Sequence, residues 1–286
     1  MKKILMIATG GTIASRLSDS GLTPHLKGEE MLPYVPQIKN LCEVSCIQLM
    51  NIDSTNFTPV EWELLAKTIK DNYLYYDGFV ICHGTDTMPY TSAILSYLIP
   101  KSPKPIVITG SQKPIDLPIT DAKTNLYDSF LYCVSKKACG VVIVFNGQVI
   151  NGARAKKMYS KNYNAFSSIN YPLVAIIQDG KVMNYRQRKY SAKPVFYDKL
   201  NASVGVFKLI PGVDSKVLEQ YFVFYDAVVV ESFGTGGIPD GEKSGFYPII
   251  EKWRKKGKIL VMCTQVVNDG SDMTVYKVGK SLKDKY

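Results

Sequence analysis

Four segments of this chain combine hydroxyl or acidic side chains with glycine, a combination suited to covalent catalysis. They are Thr9-Gly10-Gly11-Thr12, Asp53-Ser54-Thr55-Asn56, His83-Gly84-Thr85-Asp86-Thr87 and Gly110-Ser111-Gln112. Glycine allows tight turns and the close approach of a ligand to the backbone. A hydroxyl in such a turn can attack a carbonyl carbon, and free backbone N–H groups can stabilise the oxyanion that results. Taken alone, a Thr-Gly-Gly-Thr turn is equally consistent with a structural role.

A threonine nucleophile needs a base, and histidine is scarce in this sequence. Only His25 and His83 are present, and His83 precedes a glycine at the end of an apolar run, which favours a structural role. Lysine can act as the base when its surroundings favour the neutral amine. Lys156 and Lys157 follow Gly152-Ala153-Arg154. A lysine pair in a loop is most often solvated surface, so this feature alone does not identify the base.

Other catalytic and metal-binding patterns are absent from the sequence. Neither G-x-G-x-x-G nor G-x-x-x-x-G-K-[ST] occurs, which excludes the usual nucleotide fingerprints, and no G-x-S-x-G elbow occurs. The six cysteines form no C-x-x-C pair, and with two histidines a zinc site is not expected. We expect free, mostly buried thiols, as in a reducing compartment.

The four segments follow apolar runs that we interpret as buried β-strands. These runs are Ile4–Ala8, Val44–Met50, Gly78–Cys82 and Pro105–Thr109, with a fifth at Val141–Phe145. Helical patterns lie between them at Pro59–Ile69 (with Thr58 as N-cap), Thr91–Leu98 and Leu126–Val134 (begun near Asp121). Continuous apolar strands that alternate with helices predict an α/β fold with a parallel sheet. Ligands of such sheets bind beyond the carboxyl ends of the strands, where the four segments lie.

The length of 286 residues predicts about two domains. We predict a larger N-terminal parallel-sheet domain over residues 1–180, a linker over 181–200 and a smaller, flavodoxin-like α/β domain over 201–286. The linker is polar and basic, and contains Tyr185, Arg186, Gln187, Arg188 and Pro194. Beyond it we predict strands at Val204–Leu209, Ala227–Glu231 and Lys258–Cys263, and helices at Ser215–Tyr221 and Tyr247–Lys255.

The net charge of +10, from 35 Lys and Arg against 25 Asp and Glu, favours anionic partners without specifying one. The densest basic cluster, Lys252–Lys258, shares a helical pattern with Ile249, Ile250 and Trp253, so we interpret it as the solvated side of an amphipathic helix. No aromatic and basic RNA-binding module is present, and we expect no nucleic-acid partner. No apolar run reaches the length of a membrane span, and Ile4–Ala8 is too short for a signal peptide, so we expect a cytoplasmic protein.

The segments together resemble the signatures of a known enzyme family. Thr9-Gly10-Gly11-Thr12-Ile13 resembles the first signature of the bacterial-type L-asparaginases and glutaminase-asparaginases, and His83-Gly84-Thr85-Asp86-Thr87-Met88 resembles the second. Three further segments resemble others of the family in the same order: Asp53-Ser54-Thr55, Thr109-Gly110-Ser111-Gln112 and Gly152-Ala153-Arg154-Ala155-Lys156-Lys157. The pattern covers essentially the whole chain and is most similar to the cytoplasmic, type I branch.

The resemblance implies hydrolysis of the side-chain amide of L-asparagine to aspartate and ammonia. It implies that Thr12 is the nucleophile that forms an acyl-enzyme, and that Thr85, Asp86 and Lys157 form a second triad. The implied substrate-binding residues are Asp53, Ser54, Thr55, Gly84, Asp86 and Ser111. Among them, Asp86 would bind the α-ammonium, Ser54 the α-carboxylate, and the Ser111 carbonyl the leaving amide nitrogen. Backbone N–H groups near Thr12 and Thr85 would form the oxyanion hole. The resemblance implies no cofactor and no metal, and a homodimer or homotetramer.

The sequence departs from the family pattern at two places. Many relatives have a flap tyrosine ten positions after the nucleophile, where this chain has Leu22 in Ser20-Gly21-Leu22-Thr23-Pro24. We hypothesise that water, Thr23 or a tyrosine from elsewhere, a neighbouring subunit included, replaces it. The family also continues past the strand that Met273–Val278 resembles, whereas this sequence ends at Tyr286. We therefore expect reduced stability or a changed oligomer.

Three alternatives accompany the favoured function. One is glutaminase activity, because a single methylene discriminates weakly between substrates. Another is the ammonia-generating subunit of an archaeal tRNA amidotransferase, which usually has an additional N-terminal domain; the first predicted strand begins near Lys3 and leaves no room for one. The third is a non-catalytic aspartate- or asparagine-binding protein, against which the presence of both a nucleophile and a relay lysine argues.

Overall fold

The structure, a computed structural model, describes residues 1–18, 21–185, 190, 193–200, 203–241 and 244–275. Several residues named above lie outside the described part. They are Ser20, Arg186–Arg188 of the predicted linker, Val278 and Tyr286, together with the side chain of Leu22. The described chain divides into two units, Met1–Leu200 and Asn201–Tyr286.

The described residues of the first unit form twelve strands and four α-helices, besides short 3-10 turns. In chain order these are β1 (Lys3–Gly10), β2 (Ser15–Ser18), β3 (Gly21–Pro24), α1 (Gly28–Met31), β4 (Glu43–Ile52), α2 (Pro59–Asn72), β5 (Gly78–Cys82), α3 (Met88–Leu98), β6 (Pro105–Thr109), α4 (Ala122–Val134), β7 (Gly140–Phe145), β8 (Gln148–Asn151), β9 (Ala155–Lys157), β10 (Phe166–Ser168), β11 (Ala175–Gln178) and β12 (Lys181–Asn184). This architecture confirms the predicted α/β class of the larger N-terminal domain.

Eight strands form one sheet in the order β12-β11-β8-β7-β6-β5-β1-β4. The five strands from β7 to β4 are parallel to one another, as predicted. The other edge differs, because β8, β11 and β12 are added in antiparallel pairs. Strands β2 and β3 form a separate hairpin directly after β1, and β9 and β10 form another two-stranded pair.

The parallel strands are apolar throughout because both faces of the sheet are covered. Side chains alternate between the two faces of a strand, so β1 supplies both halves of the core. Ile4 and Met6 lie in a cluster with Phe130 of α4. Leu5 and Ile7 lie in the opposite cluster, with Leu65, Ile69 and Leu95 of α2 and α3. This two-sided burial explains why the strands show no polar alternation.

The helix starts follow from the local sequence. Helix α2 starts at Pro59 with Thr58 as N-cap, as predicted, and the Glu61 carboxylate accepts a hydrogen bond of 2.7 Å from the Thr58 N–H. Helix α3 starts at Met88, earlier than the predicted Thr91. Asp121 occupies the N-cap position of α4, at the predicted start of that helix.

The chain order of the sheet produces a switch point beside β1. The connection from β1 leads to β4 on one side, and the chain then returns to β5 on the other side. Because these strands are parallel, the turns after β1, β4, β5 and β6 all lie at the same edge of the sheet. The fold therefore places all four chemically distinctive segments at the edge where ligands of α/β sheets bind.

The first residues of the predicted linker belong to the sheet. Lys181–Asn184 forms β12, paired in register with Ala175–Gln178 of β11. In β12, Val182 packs against the core cluster, whereas Met183 is exposed. The extent of the linker as a whole remains a prediction.

The second unit is a small layer of three parallel strands with two helices. Strands β13 (Val204–Lys208), β14 (Ala227–Ser232) and β15 (Ile259–Thr264) pair in that order, with α5 (Ser215–Phe224) and α6 (Phe246–Lys255) between them in sequence. Ile250 of α6 is buried, whereas Lys252 forms an exposed ion pair with Glu219, which fits the predicted amphipathic helix. Met273, at the start of the segment that resembled a strand, lies in a turn.

All six cysteines are free thiols, and four of them are buried: Cys42, Cys82, Cys133 and Cys139. Burial raises the pKa of Cys42 to about 11. Burial, and to a smaller extent the negative charge of Glu29, raises the pKa of Cys46 to about 11. Such thiols are neutral and unreactive at physiological pH, so they act as small apolar side chains in the core.

Candidate active site

The turn after β1 depends on two glycines with positive φ. Gly10 has φ +103° and Gly11 has φ +77°, a region that glycine adopts readily. A Cβ on Gly10 would lie 2.6 Å from the backbone of Ile52, and one on Gly11 would lie 2.4 Å from Gly84 Cα. Glycine therefore lets this turn lie directly against the turns after β4 and β5.

Thr12 follows these glycines and begins a single 3-10 turn, Thr12–Ala14. It is half-buried, and no described residue forms a hydrogen bond with its side-chain hydroxyl. The Ser15 hydroxyl donates to the Gly11 carbonyl at 3.0 Å, and the Ile115 N–H donates to the Ile13 carbonyl at 3.2 Å. The backbone around the hydroxyl is thus held on both sides, while the hydroxyl itself is available to a ligand.

The turn after β5 brings three of the predicted catalytic residues together. Lys157 Nζ donates to Thr85 Oγ1 at 2.8 Å and to Asp86 Oδ1 at 2.6 Å. Thr85 is 5% exposed, the side chain of Lys157 15% and that of Asp86 60%. The ammonium is therefore largely withdrawn from solvent, and the Asp86 carboxylate remains open to a ligand.

Lys157 reaches this turn because of the β9–β10 pair. It is the last residue of β9 and lies opposite Phe166 of β10, whose ring is buried against Phe145 in the core. The pairing fixes the Lys157 backbone, and the side chain extends from it to a turn that is 72 residues earlier in the sequence. The predicted solvated loop is in fact a short strand.

His83 lies behind this turn and is completely buried. Its Nδ1 is 2.7 Å from the Gly84 carbonyl oxygen, and its Nε2 is 2.8 Å from Thr91 Oγ1, which accepts a hydrogen bond from the Trp62 indole at 2.8 Å. Because a carbonyl only accepts, Nδ1 bears the hydrogen and Nε2 accepts from Thr91. Burial lowers the pKa of His83 to about 4. The ring is therefore a neutral structural support for the turn, as the sequence favoured.

The turn after β4 places Ser54 beneath Gly84. Ser54 is 2% exposed, and its carbonyl oxygen accepts a hydrogen bond of 2.7 Å from the Thr87 hydroxyl. A Cβ on Gly84 would lie 2.6 Å from the Ser54 side chain, so the two turns are in direct contact. Asp53 uses its carboxylate within its own turn, accepting from the Thr55 N–H at 2.8 Å and the Thr55 hydroxyl at 2.9 Å.

The turn after β6 is held by Asp121. Its carboxylate accepts from the Gln112 N–H at 2.9 and 3.1 Å and from the Lys113 N–H at 3.0 Å. Burial raises the pKa of Asp121, and the hydrogen bonds from Gln112 and Lys113 oppose that shift. Ser111 is completely buried, and its hydroxyl donates to the Lys113 carbonyl.

From the sequence, Gln112 was identified only as a member of its segment, without a role, yet its side chain reaches the site. Its side chain lies between the Thr85 hydroxyl and the loop that follows β9. A cavity of about 510 Å³ also opens beside Asp86 and Lys157, lined by Pro89, Tyr90, Arg154, Ile169 and their neighbours. The structure thus assembles Thr12, Ser54, Gly84, Thr85, Asp86, Ser111 and Lys157 at one edge of the sheet, with Asp53 and Thr55 bonded to each other in the turn beside Ser54.

Two absences concern only the described residues. No helix among them is long and apolar enough to cross a membrane. No group of three or more histidine, cysteine, aspartate or glutamate side chains among them could hold a metal ion.

Two family models match nearly the whole chain. The model described as "Asparaginase, N-terminal" matches residues 3–190, and that described as "Glutaminase/Asparaginase C-terminal domain" matches residues 203–286. These matches meet near the division between the two structural units.

Individual relatives agree with these models. The chain is 34% identical over 280 residues to an L-asparaginase of Thermococcus kodakarensis, covering 97% of this chain and 84% of the relative. A solved structure of the thermostable L-asparaginase from Thermococcus kodakarensis matches with a TM-score of 0.92 at 32% identity, covering 99% of this chain and 86% of that one. A probable cytoplasmic L-asparaginase from Campylobacter jejuni matches with a TM-score of 0.84 at 29% identity, covering 99% and 88%.

A second kind of relative is similar over the same residues. It is a subunit of the glutamyl-tRNA(Gln) amidotransferase of Methanococcus vannielii, which is 31% identical over 301 residues, covering 99% of this chain and 69% of that protein.

Proposed function

Because this chain belongs to the asparaginase family, with both the N-terminal and the C-terminal domain of that family, we propose that it hydrolyses the side-chain amide of L-asparagine to L-aspartate and ammonia. The observation that supports this most strongly is the contact of Lys157 Nζ with both Thr85 Oγ1 and Asp86 Oδ1. This arrangement places a hydroxyl beside an amine that can act as the base in its neutral form, without histidine, and leaves the Asp86 side chain 60% exposed to a ligand.

In the proposed mechanism, the Thr12 hydroxyl attacks the amide carbon of the substrate. Lys157 enters this step as the neutral amine, after one proton has passed to solvent. Thr85 accepts the proton of the Thr12 hydroxyl and passes its own proton to Lys157, which then protonates the leaving nitrogen; ammonia departs and the amine is neutral again. Backbone N–H groups near Thr12 and Thr85 stabilise the oxyanion. Water then attacks the ester on Thr12 by the reverse proton path, which releases aspartate and restores the hydroxyl.

The substrate is proposed to bind by the two charges of its amino-acid group. Asp86, with its 60% exposed side chain, binds the α-ammonium, and Ser54 with Gly84 and Thr55 beside it binds the α-carboxylate. The Ser111 carbonyl accepts a hydrogen bond from the amide nitrogen. Asp53 contributes indirectly, because its carboxylate orients Thr55. Pairing both charges rejects analogues that lack one of them.

We propose a cytoplasmic homodimer or homotetramer. The neutral, buried thiols suit a reducing compartment, and the probable cytoplasmic relative from Campylobacter jejuni is similar over 99% of the chain. Light scattering of the purified protein tests the assembly: a monomer at all concentrations would contradict it.

The similarity to the amidotransferase subunit supports a second candidate, in which the chain releases ammonia from glutamine for a partner enzyme. Its substrate preference separates the two candidates. An asparaginase hydrolyses free asparagine with a higher kcat/KM than glutamine, whereas the second candidate predicts the reverse.

The decisive experiment measures ammonia release from L-asparagine and from L-glutamine by the native chain and by Thr12→Ala. We expect turnover of asparagine that Thr12→Ala abolishes, with aspartate binding retained as the sign of a folded site. A native chain that binds aspartate and releases no ammonia would instead be the binding protein considered above.

A further inference from the structure

The Gln112 side chain links Thr85 to the loop that follows Lys157. Thr85 Oγ1 donates to Gln112 Oε1 at 3.5 Å, and Gln112 Nε2 donates to the Asn162 carbonyl at 3.1 Å and the Tyr159 carbonyl at 3.5 Å. Gln112 is therefore the one amide among the described residues that contacts both the Thr85 hydroxyl and this loop.

The orientation of the Gln112 amide follows from its partners. The Asn162 and Tyr159 carbonyls only accept hydrogen bonds, so the amide must turn its NH₂ towards them. Its oxygen then faces Thr85 and can only accept from that hydroxyl. The two ends of the amide are thus assigned by chemistry, although nitrogen and oxygen are otherwise hard to distinguish.

The direction of the Thr85 hydroxyl hydrogen follows in turn. An ammonium has no lone pair, so Lys157 donates to Thr85 Oγ1 and cannot accept from it. The Thr85 hydrogen needs another acceptor, and Gln112 Oε1 provides it. At 3.5 Å this bond is weak. The Thr85 hydrogen can therefore turn from Gln112 to Lys157 at small cost when Lys157 is the neutral amine.

Gln112 holds this position because its backbone is fixed. Its N–H donates to both oxygens of the Asp121 carboxylate, at 2.9 and 3.1 Å, and Asp121 is only 8% exposed at the start of α4. The side chain therefore extends from a rigid point at the end of β6 rather than from a free loop.

We propose that Gln112 is a positioning residue: by accepting from the Thr85 hydroxyl it turns the Thr85 hydrogen away from Lys157 and leaves a lone pair of the Thr85 oxygen to accept the Thr12 proton. The inference rests on the proposed asparagine hydrolysis and assigns to that reaction a residue beyond Thr12, Thr85, Asp86 and Lys157. Because the Gln112 side chain forms no hydrogen bond with Asp86 or Ser54 in the described part of the chain, its loss should reduce kcat and leave KM nearly unchanged.

The test compares two variants that separate the acceptor from the donor. Gln112→Met removes both the amide oxygen and the amide NH₂. We expect kcat for asparagine to fall by on the order of three- to tenfold, which is the effect of one neutral hydrogen bond. Gln112→Glu keeps an oxygen that accepts from Thr85 and loses the NH₂, and we expect it to retain a higher kcat than Gln112→Met. KM should change by less than about twofold in both, because no substrate contact is removed.

Gln148→Met is the matched control for the loop. Gln148 Nε2 donates to Asn164 Oδ1 at 2.9 Å and so ties the same loop to β8 without touching Thr85. We expect native kcat from it. Equal losses in Gln112→Met and Gln112→Glu, or a loss in Gln148→Met as large as that in Gln112→Met, would show that only the order of the loop matters and would overturn the proposal.

The same measurements separate failure of this inference from failure of the proposed function. A native chain that releases no ammonia overturns the proposed function and the role of Gln112 with it. A native chain that is active, together with a Gln112→Met variant of native kcat, overturns only the role of Gln112. Melting curves check that each variant is folded; if Gln112→Met does not fold, a tenfold lower kcat in Gln112→Glu would overturn the proposal.

Discussion

The Cα of Gly84 would lie 2.4 Å from a Cβ added to Gly11. These two glycines therefore form a backbone-to-backbone contact between the turn after β1 and the turn after β5. No side chain fits at this contact, and the neighbour is rigid backbone that cannot move aside. The contact brings the turn that bears Thr12 against the turn that bears Thr85 and Asp86. The approach of Thr12 to Thr85 and Asp86 therefore depends on the absence of a side chain at Gly11.

Gly11→Ala should therefore separate the two turns. An alanine at φ +77° is strained, and its Cβ would also clash with Gly84. We expect kcat/KM for asparagine to fall by at least about a hundredfold, because misplacement of a catalytic group by about 1 Å has that effect. The measurement is ammonia release, with the melting temperature recorded beside it.

Gly180→Ala is the control for backbone strain alone. Gly180 has φ +68° in the turn between β11 and β12, and a Cβ added to it would have no neighbouring atom within 4 Å. We expect a destabilisation of about 1–2 kcal/mol from the left-handed conformation and native activity. Equal activity losses in both variants would show that strain, and not the contact with Gly84, explains the effect.

Lys157→Met tests the amine nitrogen that contacts Thr85 and Asp86 and that accepts the proton in its neutral form. Its removal leaves the Thr85 hydroxyl with no proton acceptor in the proposed path, and we expect kcat to fall by about two to four orders of magnitude. The neighbouring Lys156→Met serves as the control, because Lys156 is exposed and forms no ion pair among the described residues. A Lys157→Met variant that keeps more than about a tenth of native kcat would contradict the relay.

The sequence predicted the elements that are long and continuously apolar. Gly78–Cys82 and Pro105–Thr109 match the observed strands β5 and β6 to the residue, because each is a buried run with turn residues directly after it. Helix α2 was predicted with its cap, since the Thr58 side chain accepts from a free N–H of the first turn and Pro59 has no N–H that needs a partner. The common edge for the four turns followed from parallel pairing alone.

The contacts that complete the candidate site were not derivable from local pattern. Lys157 lies on β9, a strand of three residues with mixed polarity, and nothing in such a short segment distinguishes strand from loop. Its proximity to Thr85 was implied only by the family resemblance. The role of Gln112 depends on one side-chain rotamer beyond the end of β6, and periodicity carries no information about such a contact.

The buried His83 predicts how stability responds to acid. Burial holds its pKa at about 4 in the folded chain, below the value of 6.5 that applies to the unfolded chain. Between these values the unfolded chain binds more protons, so the free energy of unfolding falls as the pH falls. His83 therefore contributes its full stabilisation of the folded chain above about pH 6.5. This stabilisation is lost as the pH falls from about 6.5 to about 4, at up to about 1.4 kcal/mol per pH unit.

Asp128 on α4 opposes this trend, and for that reason the native chain must be compared with a variant. Burial raises the pKa of Asp128 to about 6, so protonation of this carboxyl stabilises the folded chain over part of the same range. Subtracting the unfolding free energy of His83→Gln from that of the native chain at each pH cancels the Asp128 contribution. We expect the native chain to be the more stable at about pH 7, and the difference to shrink steadily as the pH falls towards about 4.5. Denaturant unfolding at several pH values measures it, and a difference that does not change with pH would show that His83 is not held neutral by the fold.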